Sequence, residues 1–456
     1  MFKRILIANR GEIAVRIVRA CHEMGIEPVA VYSTADADAL HVQLADQAVC
    51  IGPPRAGDSY LNMKSILAAA MNTGCEAIHP GFGFLSENSE FARLCERCDI
   101  TFIGPSSDVI DAMGNKAAAR QLMLRHGVPV VPGSSGAVET ADDARRIAEE
   151  IGCPVLIKAA AGGGGRGMRR ACTPEEVIPA FDAARAEAIA CFGDGEMYVE
   201  KLIVNPRHIE FQILGDKRGN IIHLGERDCS IQRKNQKLLE ESPSHALTPA
   251  LRERMGAAAV EAARAAGYTS AGTVEFVLAE DGSYYFIEMN TRIQVEHPVT
   301  EMVTGIDLIK EQISVAAGLP ISRKQEEIVL RGHAIECRIN AEDPKHGFRP
   351  CPGKVEFLHF PGGNGVRVDS ALYNGYTTSP FYDSMVAKVI VHAPTRLEAI
   401  RKMRRALGEL IIDGISTTAD LDHLIMYHPD FIKGNYTTGF MEKNLDKILR
   451  WEPDEV

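Results

Sequence analysis

In Phe286-Ile-Glu-Met-Asn-Thr-Arg-Ile-Gln-Val-Glu-His297, the residues Glu288, Asn290, Arg292, Gln294 and Glu296 recur at every second position. Alternate side chains of a β-strand share a face, so an extended reading gathers two carboxylates, two amides and a guanidinium in one row. A wet sheet face also alternates, but seldom combines Asn, Arg and Gln in this order. Just upstream, Gly272-Thr-Val-Glu-Phe-Val-Leu-Ala279 reads as a strand and Asp281-Gly282 as a two-residue hairpin turn. That turn sets Glu280 against Ser283 and Glu275 against Glu288. Like charges facing across a hairpin repel unless a cation lies between them. With the Asn290 amide the two carboxylates make a hard oxygen set suited to Mg²⁺ or Mn²⁺ and to phosphate oxygens. The register is inferred, and a slip of one residue would remove the pairing and the metal argument built on it. Eight residues separate Glu288 from Glu296, roughly 26 Å if extended. Either the first half alone serves a metal, or the chain bends and the second half meets another substrate.

Other segments could hold anions. The tract Gly162-Gly-Gly-Gly-Arg-Gly167 lies between two expected strands and lacks a Gly-Lys-Ser/Thr ending, so it is no P-loop. Unshielded backbone N–H groups can still close over phosphate oxygens. Lys158, in Val155-Leu-Ile-Lys158, needs an anionic partner, and a phosphate would serve. Lys116 is weaker, since a lone helical lysine is normally solvated. In Arg207-His-Ile-Glu-Phe-Gln212, alternation puts His208, Glu210 and Gln212 on one face, with a sugar contact conceivable for His208. Glu226 to Lys237 reads as a dense polar loop. Arg338 sits in a strand-like run where it could be an edge-strand surface arginine.

The elements that would position these groups follow from the hydrophobic pattern. Strand and helix alternate through the first third: Arg4–Ala8, Glu12–Met24, Pro28–Tyr32, Leu61–Met71, Ala77–Pro80 and Ile100–Ile103. This rhythm implies a parallel sheet covered by helices. The first turn, Ala8-Asn-Arg-Gly-Glu-Ile13, has one glycine where a dinucleotide fingerprint needs three, so NAD is not expected. Helices fill Ser107–Arg125. A small unit follows, with helices at Asp142–Glu150 and Glu175–Ala190 and strands at Pro154–Ala159, Met168–Ala171 and Met197–Ile203. From Arg207 the chain is strand-rich, with hairpins at Ile209–Leu214/Ile221–Leu224 and Thr273–Ala279/Tyr284–Asn290. A helix at Arg396–Leu410 leads the C-terminal part.

Composition sets outer bounds. The 456 residues suit about three domains, and 45% hydrophobic with 24% charged residues is ordinary for a globular core. A net charge of -11 argues against a nucleic-acid surface. Eleven scattered cysteines suit a reducing compartment better than a disulfide framework. Cys95 and Cys98 are spaced as C-x-x-C, but lie on an expected helix face with no second pair to complete a zinc set. A short apolar start and the lack of any long apolar run leave no signal peptide or membrane span to expect, and a cytoplasmic location is the expectation.

These residues carry a family resemblance. To about Leu445 the chain resembles biotin carboxylases, members of the ATP-grasp superfamily. The matching segments are Ile7-Ala-Asn-Arg-Gly-Glu-Ile-Ala14, His79-Pro-Gly-Phe-Gly-Phe-Leu-Ser-Glu-Asn88, Met113-Gly-Asn-Lys116, the glycine tract, Glu226-Arg-Asp-Cys-Ser230, Glu288–Glu301 and Gly332–Asp343. The resemblance implies a mixed α/β and α+β chain. It would have an N-terminal parallel, Rossmann-like domain (1–113), linker helices and a glycine-rich lid (114–203), an ATP-grasp core (204–330), a C-terminal antiparallel region (331–446) and a tail (447–456).

It also implies roles. Lys116, Lys158, Gly164 and Gly165 would hold ATP phosphates, Glu200, Lys201, Leu202 and Ile203 would line adenine, and His208 would contact the ribose. Glu275, Glu288 and Asn290 would bind Mg²⁺ or Mn²⁺, two ions in the family. Lys237, Arg292, Gln294 and Val295 would cradle bicarbonate, Glu296 would be the catalytic base, and Arg338 would stabilise the biotin enolate. Arg292 and Arg338 count with Glu296 as catalytic. Three positions depart from the family: Asn235 for His at a nucleotide contact, Phe82 for Tyr near biotin, and Ala161 for the first glycine of the tract. No biotinylation-type segment is present, because Asn62-Met-Lys64 lies in an expected helix. The carrier of biotin and the carboxyltransferase should then be separate chains, and a homodimer is the family habit. Another ATP-grasp carboxylate or carbamoyl ligase would leave Arg292–Glu296 unexplained. A non-catalytic nucleotide-binding subunit rests on the three departures alone.

Overall fold

A computed structural model describes residues 1–159 and 167–450. The chain divides into two compact units. The first comprises residues 1–114, 207–275 and 289–456, and the second 115–206 and 276–288.

The first unit begins with β1 (Arg4–Ile7), α1 (Gly11–Glu23), β2 (Glu27–Ser33), α2 (Leu40–Leu44), β3 (Gln47–Gly52), α3 (Met63–Asn72), β4 (Ala77–His79), α4 (Ser89–Arg97), β5 (Thr101–Phe102) and α5 (Ser107–Gly114). The strands form a parallel sheet in the order β3-β2-β1-β4-β5, with Ile5 paired to both Pro28 and Ala77. Parallel strands need crossovers, and helices coat both faces, so β1 is apolar after Arg4 and its Ile5, Leu6 and Ile7 are fully buried. The expected parallel layer is present. Cys95 is indeed buried on α4, where burial pushes its thiol up to about 12.

The second unit holds α6 (Lys116–Arg125), α7 (Ala141–Ile151), β6 (Val155–Ala159), β7 (Met168–Ala171), α8 (Pro174–Phe192) and β8 (Met197–Lys201). Its antiparallel sheet, β7-β6-β8, packs on α7 and α8 around Val155, Ile157, Phe181 and Val199. Gly164 and Gly165 lie outside the described residues, as does Ala161.

The first unit resumes with β9 (Arg207–Gly215), β10 (Ile221–Arg233), β11 (Gln236–Ser242), α9 (Pro249–Ala265) and β12 (Ser270–Leu278), which runs into the second unit. It returns at the end of β13 (Tyr284–Asn290) and continues through α10 (His297–Thr304), α11 (Leu308–Ala316), β14 (His333–Asn340), β15 (Glu342–Asp343), β16 (Arg349–Pro350), β17 (Phe357–His359), β18 (Val366–Ser370), β19 (Met385–Ala393) and α12 (Arg396–Glu409). From β12 the antiparallel sheet runs β12-β9-β10-β11-β14-β19-β18.

Two expectations change here, for the Glu226–Lys237 loop and the Asp281 turn, and two open readings are decided, for Arg338 and for the bend after Glu288. The stretch Glu226–Lys237 is no loop: it is most of β10, a two-residue turn and the start of β11, with Gln232 opposite Lys237. Lys234 and Asn235 turn with φ of 48° and 65°, the left-handed pair that a tight hairpin requires and that Asn tolerates well. The Asp281-Gly282 turn is one residue longer than expected. Ala279 N donates to Ser283 O at 2.8 Å, leaving Glu280, Asp281 and Gly282 in the loop, with Gly282 at φ 81°. Counting from that turn therefore no longer sets Glu275 against Glu288, and the argument for a cation between facing carboxylates falls with that register. Arg338 is not on an edge, because β14 pairs with β11 on one side and β19 on the other. The extended row of the opening motif stops at Asn290. Thr291–Val295 is irregular and Glu296 is the N-cap of α10, with Pro298 in the first turn.

Candidate active site

Lys237 of β11 is the hub of the first unit's polar cluster. Its Nζ lies 2.6 Å from Glu210, 3.0 Å from Glu275 and 2.7 Å from Glu296. These carboxylates come from β9, β12 and the start of α10, so only the assembled sheet brings them together. Burial disfavours the ammonium, but three carboxylates hold its pKa well above the ordinary value. Glu210 is shared with the fully buried Arg227 (Nε to Oε1, 2.6 Å). Arg227 also donates to Gln212 at 2.7 Å, Thr300 at 2.9 Å and Thr273 at 3.0 Å.

Glu296 is completely buried and bridges two cations. One oxygen meets Lys237, and the other accepts from Arg338 Nη2 at 2.9 Å. Burial would push its pKa up, yet Lys237, Arg338 and Arg227 hold it well below the carboxylate range, so it is ionised. Arg338 also grips Glu240 at 2.6 Å through Nε. Glu240 faces Glu336 across β11 and β14, and both are buried. Burial, partly offset by Arg338, pushes Glu240 up to about 7.

The irregular segment after β13 is held from three sides. Glu87 accepts from the Thr291 backbone at 3.1 Å and from Arg292 Nε at 2.9 Å. Arg292 Nη1 donates to Gln294 Oε1 at 3.0 Å, and Nη2 to Asn290 Oδ1 at 3.2 Å. Gln294 and Asn290 in turn donate to Glu275 at 3.0 and 2.8 Å. The Val295 carbonyl accepts from Lys388 of β19 at 2.7 Å. His208 contacts the other oxygen of Glu275 at 2.8 Å, which outweighs burial and raises the imidazole pKa. The chain thus bends after Asn290, and Arg292, Gln294 and Glu296 meet the same cluster as Lys237. Asn235 is exposed at the β10–β11 turn, and Phe82 packs half-buried against the N-terminal core.

Within the second unit the partners are fewer. Lys116, first residue of α6, pairs with Glu288 at 3.0 Å while 77% of its side chain stays exposed. Lys158 on β6 finds its anion in Glu200 of the neighbouring β8, at 2.6 Å. Lys201 donates to the Gly152 and Cys153 carbonyls at 2.8 and 3.2 Å. Leu202 and Ile203 follow the end of β8, two residues beyond where the strand stops.

A hard divalent cation fits the donor chemistry present. Burial opposes ionisation of Glu275, but Lys237 and His208 hold its pKa far below the ordinary value, and Asn290 adds an amide oxygen. Glu288 offers a carboxylate in the second unit. His208, Glu210 and Glu275 also place ligand atoms within 4.8 Å of one another, but the Lys237 ammonium already contacts both carboxylates.

Several residues in this cluster escaped the sequence reading: Arg227, Glu240, Glu336, Glu87, Thr300 and Lys388. For Arg227 a signal existed. Charged residues alternate on both faces of β10, so neither face looked apolar and the strand read as loop.

Comparisons with known proteins agree along the chain. Residues 1–110 match the family described as "Biotin carboxylase, N-terminal domain", 115–324 match "Carbamoyl-phosphate synthase L chain, ATP binding domain", and 336–443 match "Biotin carboxylase C-terminal domain". The chain is 59% identical to Biotin carboxylase 1 of Bacillus subtilis, covering 97% of this chain and 98% of that protein. It is 54% identical to the 2-oxoglutarate carboxylase small subunit of Hydrogenobacter thermophilus, covering 97% and 94%. Among solved structures, the biotin carboxylase domain of a thermophilic 2-oxoglutarate carboxylase bound to bicarbonate superposes with a TM-score of 0.95. It is 52% identical and covers 99% of this chain and 100% of that one. With three matching segments and full-length relatives above half identity, the chain belongs to the biotin carboxylase family.

Proposed function

We infer that the protein is a ligase that carboxylates biotin with ATP and bicarbonate, giving carboxybiotin, ADP and phosphate. One observation carries the site assignment. Glu296 is buried, ionised and shared between Lys237 and Arg338, so a base stands between two cations that can receive an anion. Bicarbonate rests on Lys237, Arg292, Gln294 and the Val295 backbone, and gives its proton to Glu296. The resulting anion attacks the γ-phosphorus of ATP, ADP leaves, and carboxyphosphate forms. Carboxyphosphate breaks down to CO₂ and phosphate. Phosphate removes the ureido proton of biotin, and the Arg338 guanidinium stabilises the enolate that attacks CO₂.

ATP is held by Lys116, Lys158, Gly164 and Gly165 at its phosphates, by Glu200–Ile203 at the base and by His208 at the ribose, with Asn235 as a further nucleotide contact. Glu275, Glu288 and Asn290 would hold Mg²⁺, or Mn²⁺, which when bound neutralises charge on the triphosphate. Domain limits at 113, 203, 330 and 446 divide these tasks. The biotin is carried on a separate carrier protein, carboxyltransferase subunits use the product, and the enzyme works as a homodimer in the cytoplasm. A solved relative from Hydrogenobacter thermophilus is described as a biotin carboxylase domain dimer with MgADP, ADP and bicarbonate. Among the described residues no helix is long and apolar enough to cross a membrane.

Phosphate release from MgATP, measured with and without bicarbonate and free biotin, tests this reading. Turnover should require bicarbonate and rise with biotin. Hydrolysis indifferent to bicarbonate would overturn it.

A further inference from the structure

Glu296 caps α10, yet its side chain makes no cap hydrogen bond because Lys237 and Arg338 take both oxygens. Without a side-chain cap, the position of this helix entry depends more on the groups packed around it. His297, the next residue, is buried, and its Nδ1 reaches back to the Gln294 carbonyl at 2.7 Å. Farther along α10, Glu301 is clamped by Arg16 at 3.0 Å and Arg367 at 2.7 Å. The Val295 carbonyl, between Gln294 and Glu296, is taken by Lys388.

Lys388 has no exposed side-chain surface and sits on β19 directly beside Arg338 of β14 and Asp369 of β18. Desolvating an ammonium is unfavourable unless it is paired and hydrogen-bonded. Its ion-pair partner is Glu12 of α1, at 3.1 Å, a longer and less well-aligned contact than the one to Val295. Glu336 is another buried carboxylate that favours the Lys388 charge. The carboxylates supply charge, while the directional bond goes to Val295.

We propose that Lys388 is a positioning residue for the carboxylation: by pinning the Val295 carbonyl it fixes the Gln294 amide and the Glu296 carboxylate toward bicarbonate. This rests on the reading of Glu296 as the base. Lys388 does not touch the reacting atoms. Its ammonium acts through one backbone group, so its loss should show in bicarbonate handling and not in nucleotide affinity.

The test compares Glu12→Gln with the double variant Lys388→Met/Glu12→Gln, which removes the ammonium and its paired charge together. Glu12→Gln alone should leave the bicarbonate KM within about twofold, because the Val295 bond survives. The double variant should raise the bicarbonate KM by about tenfold or more, with the MgATP KM unchanged. A double variant with the bicarbonate KM and kcat of the unaltered enzyme would overturn the proposal and leave Lys388 as a neutraliser of Glu12. Should the double variant not fold, Lys388→Arg replaces it, since it keeps the charge and displaces the donor. A raised bicarbonate KM at unchanged melting temperature then supports the proposal, and an unchanged KM overturns it. Glu296→Gln runs alongside: if it keeps full turnover, the reading of the base has failed, whatever Lys388 does.

Discussion

Lys237 and Lys116 both present an ammonium to glutamate, but in opposite settings. Lys237 keeps 12% of its side chain exposed and contacts three carboxylates from three separate elements. Lys116 keeps 77% exposed and pairs with Glu288. In the first unit the cations are preorganised, because Arg227, Lys237 and Arg338 are each held by several groups before any substrate arrives. Such fixed charge acts on a developing anion without reorganising at the moment of reaction. In the second unit single, partly solvated ion pairs leave the lysines free to exchange a carboxylate for another anion at little penalty. The first arrangement suits chemistry and the second suits binding and release.

The largest test of that contrast is Glu296→Gln. It should lower bicarbonate-dependent turnover by about 10³-fold, a usual range for a lost general base, while ATP still binds. Steady-state phosphate release and nucleotide titration check it, and near-normal turnover would break the assignment. Next, Arg338→Ala should remove the stimulation by biotin and lower stability by roughly 3 kcal/mol, because Glu240 and Glu296 lose their shared partner while buried. Denaturant unfolding and the biotin dependence of the rate are the readouts. A smaller effect is expected from Lys116→Ala: the MgATP KM rises by about tenfold, and the melting temperature stays put, since an exposed pair contributes little to folding. A marked loss of stability would erase the distinction between the two units.

The smallest effect concerns pH. Glu275 and Glu296 have folded-state pKa values held below their ordinary value of about 4.5. The unfolded chain therefore binds their protons first, so their stabilisation is complete above about 4.5 and is lost as the pH falls below it. Glu240 has the opposite sign. Its folded value near 7 means that stability falls as the pH rises from about 4.5 to 7. Glu240→Gln should make that neutral limb shallower, with Glu336 and Asp422 still contributing to it, and leave the acid limb alone. Thermal melts between pH 4 and 8 would show it, and an unchanged neutral slope would refute the burial argument for this carboxylate.

Much of the fold was legible. The βαβ rhythm of the first third predicts the parallel sheet because strands buried on both faces read as unbroken apolar runs. The hairpin strand Tyr284–Asn290 has the expected limits, although the polar alternation runs on past its end to Glu296. Glu226–Lys237 was misread because a buried strand that carries ion pairs on both faces looks like solvated loop. The turn at Asp281 was misread because Asp-Gly serves a two-residue loop and the end of a three-residue loop alike, differing by where the left-handed glycine falls.

The amino-acid order alone determined which chemistry was available: two acids, two amides and an arginine at strict alternation, with a glycine tract and Lys158 upstream. The residue types and the family resemblance rest on local sequence, which needs no fold to be read. Only the tertiary structure decided that Glu296 leaves the strand, turns into the cap of α10 and lands between Lys237 and Arg338. Those cations lie on β11 and β14, dozens of residues away, and Coulomb forces in a buried site follow distance in space. No pattern along the chain encodes that distance.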